Sequence, residues 1–522
     1  MLALALSLVA SAVADDLVVS LDGLGKLRGA ALGVVREFHG VPFAAPPQGA
    51  MRWRSPAAPS AWDGVRDATS FHASCAQPSG FSPTITNTSE DCLFVDFYAP
   101  SGASAAPVFV WIHGGGQRGG FTNGGAEEAR LNGSAAILSL QSSGVADLPV
   151  IAVVQYRLGV FGFAGSDAIR DPDTNATGNW GFEDQIAAVA FVKQYAASFG
   201  GDPANVAIAG QSAGGASVGN LVVAPKARGL FQRAIGMSGS FSDWAAVALS
   251  DQESAYATLL SNAGCSDAEC MRQKSPEDLL SAYNGVSCTA CFEATVDGVL
   301  LADYPNELLA ANGLNGVQFL GGCTRDEANT FDASSLGNSA NAKQLSTWVA
   351  NEYALAAGDA ADLLKSHYPQ ASYAARGDAS KSYVRGVAVE TDQSMRCALR
   401  RGAAMGSKNY VYSFDRGVGG TNYANHADDI PFVFSATAAL ADAGGDADDV
   451  ALAAKMTRIF FAFARTGDPN DGNGDIMPHW APFTGETSPV MHLDTTLALN
   501  DDAAVQTACA YWKDHHYYGK QS

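Results

Sequence analysis

The sequence predicts an α/β fold in which helices cover both faces of a mostly parallel sheet. Short, wholly apolar runs occur at residues 108–112, 150–154 and 206–209, and helix-like segments such as EDQIAAVAFVKQYAASF separate them. The strands of a parallel sheet are buried on both faces, so each reads as a continuous apolar run instead of an alternating pattern. Strands that alternate with helices in this way are typical of the α/β class.

The composition is that of a large, acidic, folded protein. The 522 residues are 47% hydrophobic and only 16% charged, which excludes disorder as the dominant state. Because 32 Lys and Arg residues stand against 53 Asp and Glu residues, the formal net charge is -21. A surface of this charge repels phosphate backbones and anionic lipid, so we expect no nucleic-acid partner and no docking on an anionic membrane.

Residues 15–522 are interpreted as one elaborated α/β domain. No repeat period is visible, and no Ser- or Gly-rich linker separates independent halves. The stretch from about Ser242 to Asn315 is more helical and contains cysteines, and it is interpreted as an excursion over the sheet.

Residues 1–14 resemble a secretory signal peptide. They form an apolar run that ends in Ala12-Val13-Ala14, which predicts cleavage after Ala14. The run lacks a basic start, and a poorly ordered apolar terminus is the alternative. No other stretch is long and apolar enough to span a bilayer, and the polar C-terminus WKDHHYYGKQS offers no membrane anchor.

Sequons and cysteines indicate the same compartment. N-glycosylation sequons occur at Asn87, Asn132 and Asn175, and with a signal peptide they predict a secreted glycoprotein, extracellular or in the lumen of the secretory pathway. Nine cysteines fit an oxidising compartment with some pairing, and their odd number leaves at least one thiol over.

The pattern G-x-S-x-G occurs twice, at residues 210–214 and 215–219. In a chain with 55 glycines the bare pattern is weak evidence, so the context has to separate the two copies. The first copy follows the apolar run NVAIA and opens a helix of small residues, as a nucleophile elbow requires. Ser212 is therefore the predicted nucleophile, whereas Ser217 lies one turn inside that helix and is interpreted as structural.

A glycine-rich loop supplies candidate donors for an oxyanion. His113-Gly114-Gly115-Gly116 follows the apolar run that ends at Ile112. A run of glycines lets backbone N–H groups point into a site without obstruction, although a flexible loop is the alternative. Its place upstream of the elbow favours an oxyanion hole, in which the N–H of Ala213 would be the other donor.

A nucleophilic serine also needs a base and an acid that orients the base. Six histidines follow the elbow: His367, His426, His479, His492, His515 and His516. His426 lies in NYANHADDIPFVFS, where small neighbours precede an apolar run, while the last two lie in a polar terminus and are expected to be solvated. Asp326 and Glu327 follow the apolar run VQFLGG, at the end of a strand where α/β sites form, and composition does not choose between them.

Several long motifs occur in a characteristic order along nearly the whole chain. They are FHGVPFAAPPQGAMRWRSP, EDCL, VWIHGGG, YRLGVFGF, GNWGFEDQIAAVAFVKQYAASFGGDPANVAIAGQSAGGASVG, GLFQRAIGMSGS, GGCTRDEA, NHADDIPFVF and FARTGDPN. With these motifs the chain resembles the type-B carboxylesterase family, which includes the cholinesterases and several fungal lipases. The resemblance implies an α/β-hydrolase fold and a Ser-Glu-His triad.

The resemblance also implies the roles of individual residues. The acid of the family corresponds to Glu327 and its base to His426. Its oxyanion donors correspond to the N–H groups of Gly115, Gly116 and Ala213.

The resemblance further implies three disulfides. They correspond to Cys75–Cys92, Cys265–Cys270 and Cys397–Cys509. Of the remaining cysteines, Cys288 and Cys291 form a CxxC pattern that could close a tight bridge, and a lone CxxC is weak evidence for redox or metal chemistry. Cys323 is expected to be a buried free thiol.

Two departures from the family concern specificity. The residue before the nucleophile is Gln211, where most members carry Glu. The loop between Cys75 and Cys92 is short and has no Trp, so it lacks the ring on which cholinesterases stack choline. Trp244 resembles an acyl-pocket tryptophan, and an ordinary core aromatic is the alternative.

Together these residues predict a secreted serine carboxylic-ester hydrolase that acts through an acyl-enzyme on neutral esters, with a small-molecule ester as its substrate. A lipase, thioesterase or amidase on the same triad is one alternative, and a non-catalytic cholinesterase-like adhesion protein is another. No cofactor or metal is expected, because no HExxH occurs and DPNDGNGD from Asp468 lacks the EF-hand spacing. The sequence does not indicate an oligomeric state.

Overall fold

The computed structural model describes residues 17–78, 87–120, 122, 130–286, 292–485 and 487–516. The predicted signal peptide, residues 1–14, lies outside the described residues, as do Cys288 and Cys291. The strands of the described residues are β1 Val18–Leu21, β2 Gly25–Arg28, β3 Ala30–Leu32, β4 Val35–Pro42, β5 Val65–Asp67, β6 Ser74–Cys75, β7 Thr88–Ser89, β8 Phe94–Pro100, β9 Ala106–Ile112, β10 Val150–Val154, β11 Gly201–Gln211, β12 Arg233–Met237, β13 Val247–Ala248, β14 Thr295–Val296, β15 Gln318–Thr324, β16 Tyr410–Phe414, β17 Val490–Leu493 and β18 Ala498–Asn500.

The α-helices of the same residues connect and flank these strands. They are α1 Gly133–Ser142, α2 Gly159–Phe163, α3 Trp180–Tyr195, α4 Ala213–Val223, α5 Leu249–Asn262, α6 Ala268–Arg272, α7 Pro276–Asn284, α8 Pro305–Asn312, α9 Ala342–Glu352, α10 Ala357–Ser366, α11 Lys381–Thr391, α12 Cys397–Ala403, α13 Ile430–Val433, α14 Thr437–Asp442, α15 Ala447–Thr466 and α16 Ala503–Trp512. A π-helical turn, Asp392–Arg396, joins α11 to α12. Within the described residues, no helix is long and apolar enough to cross a membrane.

An eleven-stranded mixed sheet forms the centre of the described fold. Its strand order is β18-β17-β16-β15-β12-β11-β9-β10-β8-β4-β3. The pairs from β10 across to β17 are parallel, whereas β10–β8, β8–β4, β4–β3 and β17–β18 are antiparallel. The predicted α/β class with a mostly parallel sheet is confirmed.

Every residue of β9 is buried, because helices cover both faces of the sheet. Val108 and Val110 belong to the core on one face, where they pack with side chains of α3 and α4. Phe109 and Trp111 belong to the core on the other face, together with side chains of α1 and α15. Because successive side chains of a strand point to opposite faces of the sheet, β9 contributes side chains to two separate cores.

The stretch from Ser242 to Asn315 is helical where it is described, as predicted. It contains α5 to α8 and a short parallel pair, β13 with β14. The Cys265–Cys270 disulfide closes the turn between α5 and α6.

The other two disulfides that the family resemblance implies are also present. Cys75–Cys92 joins β6 to the segment that enters β8, and Cys397–Cys509 joins α12 to α16 across 112 residues. Cys323 lies on β15 as a buried free thiol.

Candidate active site

The predicted nucleophile lies where β11 turns into α4, at the carboxyl edge of the parallel strands. We call residues 210–214 the elbow. Ser212 has φ 57° and ψ -127°, a backbone conformation that residues other than glycine rarely adopt. Its N–H donates to the carbonyl of Met237 at the end of neighbouring β12, at 2.9 Å. The elbow is thus a strained turn fixed to the adjacent strand, as the nucleophile of an α/β-hydrolase requires.

Glycine is needed at both ends of the elbow because backbone atoms of the elbow itself and of β9 lie too close for a side chain. A Cβ atom on Gly210 would lie 2.5 Å from the carbonyl oxygen of Gly214. A Cβ atom on Gly214 would lie 2.1 Å from the carbonyl oxygen of Ile112, the last residue of β9. The G-x-S-x-G pattern therefore reflects contact between the elbow and the neighbouring strand.

The second serine of the duplicated pattern is engaged inside α4. Ser217 is buried, and its hydroxyl donates to the carbonyl of Ala213 at 2.9 Å. The same hydroxyl accepts a hydrogen bond from Nε2 of Gln185 at 3.0 Å. These contacts fit the structural role that the sequence predicts for Ser217.

Residues 113–116, the glycine loop, follow β9 and pack on the elbow. Gly115 and Gly116 have φ of 109° and 61°. The carbonyl of Gly115 accepts from the N–H groups of Arg118 and Gly119, both at 3.1 Å. Because a trans peptide places its N–H opposite its C=O, the N–H of Gly116 points away from those two donors. Within the described residues neither glycine N–H has an acceptor, so both remain available to a ligand.

The side chain of His113 fixes the first peptide of the glycine loop. Burial lowers the pKa of His113 to about 4, so the ring is neutral near pH 7. Its Nδ1 donates to the carbonyl of Gly114 at 2.8 Å, which turns the N–H of Gly115 the opposite way. Tyr156 stacks on the ring at 4.4 Å and donates its hydroxyl to the His113 carbonyl at 2.8 Å.

The predicted acid and base come together beside the elbow. Glu327 opens a 3-10 turn, Glu327–Thr330, immediately after β15, and we call this segment the acid turn. His426 lies in residues 415–429, the base loop, between β16 and α13. Nδ1 of His426 is hydrogen-bonded to Oε2 of Glu327, and that carboxylate is fully buried. A buried carboxylate on Nδ1 holds the imidazole in one orientation.

The second oxygen of Glu327 is also bound. Oε1 accepts from Oγ of Ser238 at 2.5 Å and from the N–H of Thr324 at 2.7 Å. Burial would raise the pKa of Glu327, but the adjacent imidazole of His426 and these hydrogen bonds outweigh it and lower the pKa below its ordinary value. Glu327 is therefore ionised at neutral pH.

The neighbouring carboxylate, Asp326, points elsewhere. It forms ion pairs with Arg325 and Arg376, the former with a distance of 2.8 Å. It also accepts from the N–H of Ala424 at 3.1 Å. The structure thus distinguishes the two carboxylates that composition leaves open: Glu327 contacts the imidazole, and Asp326 fixes the base loop.

Comparisons with known proteins identify the family. The sequence profile of the Carboxylesterase family matches residues 15–512. The chain belongs to the carboxylesterase family. Human cocaine esterase is 32% identical, over 89% of this chain and 85% of that protein. Pig liver carboxylesterase is 29% identical, over 95% of this chain and 90% of that protein.

A solved structure agrees with the fold. The crystal structure of the Geobacillus stearothermophilus carboxylesterase EST55 at pH 6.2 superposes with a TM-score of 0.81. It is 30% identical in sequence and covers 95% of this chain and 100% of its own. The predicted α/β-hydrolase fold is confirmed, and the protein is a carboxylic-ester hydrolase of the carboxylesterase family.

In this carboxylesterase the side chain of Gln211 lies against the imidazole of His426. Nε2 of Gln211 is 3.2 Å from Nε2 of His426 and 3.5 Å from its Nδ1. Such similar distances place the amide over the ring, because an in-line hydrogen bond to one ring nitrogen would leave the other much further away. The edge of the ring faces Phe331, with centroids 4.7 Å apart.

The contact between the Ser212 hydroxyl and the His426 imidazole differs from the contact between His426 and Glu327. Among the described residues no hydrogen bond connects Oγ of Ser212 with His426. In serine hydrolases this contact often becomes short only when substrate is bound. Since the amide of Gln211 lies over the ring, the in-plane lone pair of Nε2 stays accessible.

Sequence reasoning missed two features of the carboxylesterase site. Asp429, the last residue of the base loop, is fully buried, and the hydroxyl of Tyr412 donates to it at 2.9 Å. Burial, assisted by the charge of Glu327, raises the pKa of Asp429 to about 7. The second feature is an amide pair, Asn329 with Asn425, which joins the acid turn to the base loop. Asp429 and Asn425 stand in NHADDI and NYANH, yet neither pattern shows which way a loop side chain turns.

Trp244 and His516, which the sequence also singles out, both have hydrogen-bond partners. Trp244 is buried in the core and donates from its indole to the carbonyl of Ser394, in the π-helical turn, at 2.9 Å. His516, expected to be solvated, is instead half-buried, with Nδ1 2.9 Å from Asp243. The contact with the carboxylate of Asp243 accounts for this difference.

Proposed function

We propose that Ser212 is the nucleophile of this carboxylesterase, with His426 as its base and Glu327 as the acid that orients the base. The observation that carries the proposal is the buried contact between Glu327 and His426 at the strand edge where the elbow presents Ser212. A hydroxyl becomes an effective nucleophile only when a base removes its proton.

The reaction runs through an acyl-enzyme. His426 Nε2 takes the proton of Ser212 as Oγ attacks the ester carbonyl, and the imidazolium that forms is stabilised by Glu327. The imidazolium then protonates the leaving alcohol. Water, deprotonated by the same nitrogen, then attacks the acyl carbonyl. The bond to Oγ of Ser212 breaks, the imidazolium returns its proton to Oγ, and the carboxylic acid is released.

The developing oxyanion is bound by backbone N–H groups. Gly115 and Gly116 offer N–H groups without an acceptor in the described structure, and Ala213 is the first residue of α4. The first N–H groups of a helix have no partner within the helix. Three donors of this kind, already oriented, need no rearrangement as the negative charge forms.

The proposed substrates are neutral carboxylic esters. A choline group would need aromatic faces or a nearby carboxylate, and each good aromatic contact contributes about 0.5–2 kcal/mol. Gln211 puts a neutral amide against the imidazole, and the segment between Cys75 and Cys92 contains no Trp. Part of that segment, residues 79–86, lies outside the described residues.

We also propose that residues 15–522 form a single secreted domain after removal of residues 1–14. Three disulfides favour an oxidising compartment. The sequon residues Asn87 and Asn175 are exposed, whereas Asn132 is half-buried and caps α1 by accepting from the N–H of Ala135. Glycans are therefore expected first at Asn87 and Asn175.

Covalent labelling tests the proposed nucleophile. A fluorophosphonate should add one phosphonyl group to the full chain, and peptide mapping should locate it on Ser212. Ser212→Ala should abolish both labelling and ester hydrolysis, while Ser217→Ala serves as the matched control and should retain both. An adduct on Ser217, or an active Ser212→Ala enzyme, would exclude this assignment.

A further inference from the structure

The base loop that carries His426 has little regular structure of its own. Between β16 and α13 the described chain contains a single 3-10 turn, Val418–Gly420, and that turn lies six residues before the imidazole. No strand or α-helix therefore fixes the position of His426. The distance between the base and Glu327 has to be set by contacts that the loop makes with other segments.

Asn425, the residue before His426, makes such a contact with the acid turn. Nδ2 of Asn329 donates to Oδ1 of Asn425 at 2.7 Å. The hydroxyl of Tyr383, on α11, donates to Oδ1 of Asn329 at 2.8 Å. A continuous chain of hydrogen bonds thus runs from α11 through the acid turn to the base loop.

The backbone of the same loop is fixed from the other side. The N–H of Asp326 donates to the carbonyl of Ala424 at 3.0 Å, and the N–H of Ala424 donates back to the Asp326 carboxylate. Glu327 is thereby flanked by two links, one through Asp326 and one through Asn329. Both links end within two residues of His426.

We propose that the amide pair Asn329–Asn425 is a positioning device that keeps His426 on Glu327 in the orientation needed for proton transfer. Neither asparagine touches the imidazole in this role, and neither supplies or removes a proton. The pair limits how far the base loop can shift from the acid turn. Small displacements of a base cost much rate, since proton transfer needs hydrogen-bond geometry.

This inference rests on the proposed function of Glu327 and His426, and the experiment separates the two. The steady-state hydrolysis of 4-nitrophenyl butyrate by the full chain is measured for Asn329→Ala, Asn425→Ala and the double variant. Loss of one such hydrogen bond should lower kcat about fivefold and leave KM unchanged. The double variant should be no slower than Asn329→Ala alone, because both changes remove the same link.

Two further variants make the result specific. Asn425→Asp keeps an oxygen that accepts from Asn329, so it should retain most of the kcat that Asn425→Ala loses. Asn338→Ala is the matched control: Asn338 is exposed and donates to Asp378 at 3.0 Å, and neither residue belongs to the acid turn or to the base loop. It should leave kcat and KM unchanged. Thermal unfolding checks that all variants are folded.

The outcomes are distinct. Fold-changes that multiply in the double variant, a rise in KM instead of a fall in kcat, or wild-type kcat in both single variants would each overturn the positioning role. Glu327→Gln is measured alongside. If Glu327→Gln also retained wild-type kcat, the proposed acid would be wrong. If the kcat of Glu327→Gln fell strongly while both asparagine variants kept the wild-type kcat, only the role of the amide pair would be rejected.

Discussion

The elbow and the base loop reach the same edge of the sheet, but different forces hold them there. In the elbow, residues 210–214, the carbonyl oxygens of neighbouring strands pass close enough to exclude side chains. In the base loop, residues 415–429, the side chains of Asp326 and Asn329 hold Ala424 and Asn425 through hydrogen bonds. Packing of backbone on backbone leaves one conformation, whereas side-chain links can be lost one at a time.

The two regions also differ in how they respond to pH. The elbow contains no titratable side chain. The base loop contains the partly buried carboxyl group of Asp428 and the fully buried one of Asp429. Burial raises the pKa of Asp428 to about 6 and the pKa of Asp429 to about 7. Acidity should therefore alter the base loop and leave the geometry of the elbow intact.

The largest expected effect comes from the acid that faces the base. Glu327→Gln removes the charge that is proposed to stabilise the imidazolium, and we expect kcat to fall by about three to four orders of magnitude. Asp326→Asn should cost only about tenfold, because Asp326 binds arginines and backbone instead of the imidazole. Steady-state rates of the two variants provide the comparison. The reverse ranking would mean that the acid has been misassigned.

The second-largest effect is expected when the elbow is disturbed. In Gly214→Ala the new methyl group meets the carbonyl oxygens of Ile112 and His113, so the turn must shift. We expect about a hundredfold fall in kcat, as for a displacement of about an ångström, and a loss of about 1–3 kcal/mol in the free energy of unfolding. Gly474→Ala is the control, since nothing lies within 4 Å of its Cβ position. Equal behaviour of the two variants would show that the elbow tolerates movement.

A smaller effect is expected on how the free energy of unfolding depends on pH, through Asp429. Burial raises the pKa of Asp429 to about 7, so its neutral form stabilises the fold at low pH and this contribution is lost as the pH rises through about 7. Asp429→Asn cannot ionise. Between pH 5 and pH 8 its unfolding free energy should fall less than that of the wild type, by on the order of 2 kcal/mol.

Urea unfolding at the two pH values measures this difference. Asp442→Asn, at the end of α14, alters an exposed aspartate and should follow the wild type at both. Parallel curves for Asp429→Asn and the wild type would show that Asp429 does not ionise in this range.

The smallest expected effect is on specificity. Gln211→Glu places a carboxylate against the imidazole, so it should raise kcat/KM for a choline ester relative to its dimethylbutyl isostere by about two- to tenfold. The wild type should show no preference for the cation that survives high salt. Such a preference in the wild type would instead assign a cation site to aromatic side chains.

The same comparison explains what the sequence could predict. Ser212 and its glycines were found from the residues themselves, because strand, turn and helix follow each other within a dozen positions. The choice of Glu327 over Asp326 came only from family resemblance. The direction in which the Glu327 side chain points after β15 depends on its partners Ser238 and His426, which are far away in sequence. For that reason the link between Asn329 and Asn425 left no sequence signal either.

The order of the parts along the chain has a consequence for biosynthesis. At about 5–20 residues per second, His426 is synthesised roughly 10–40 s after Ser212. The base loop also lies inside the covalent ring closed by Cys397 and Cys509, while the elbow lies outside it. A nascent chain can thus form the strained serine turn well before any base reaches it. With the proposed triad, hydrolysis has to wait until the base loop has been synthesised and has reached the edge of the sheet.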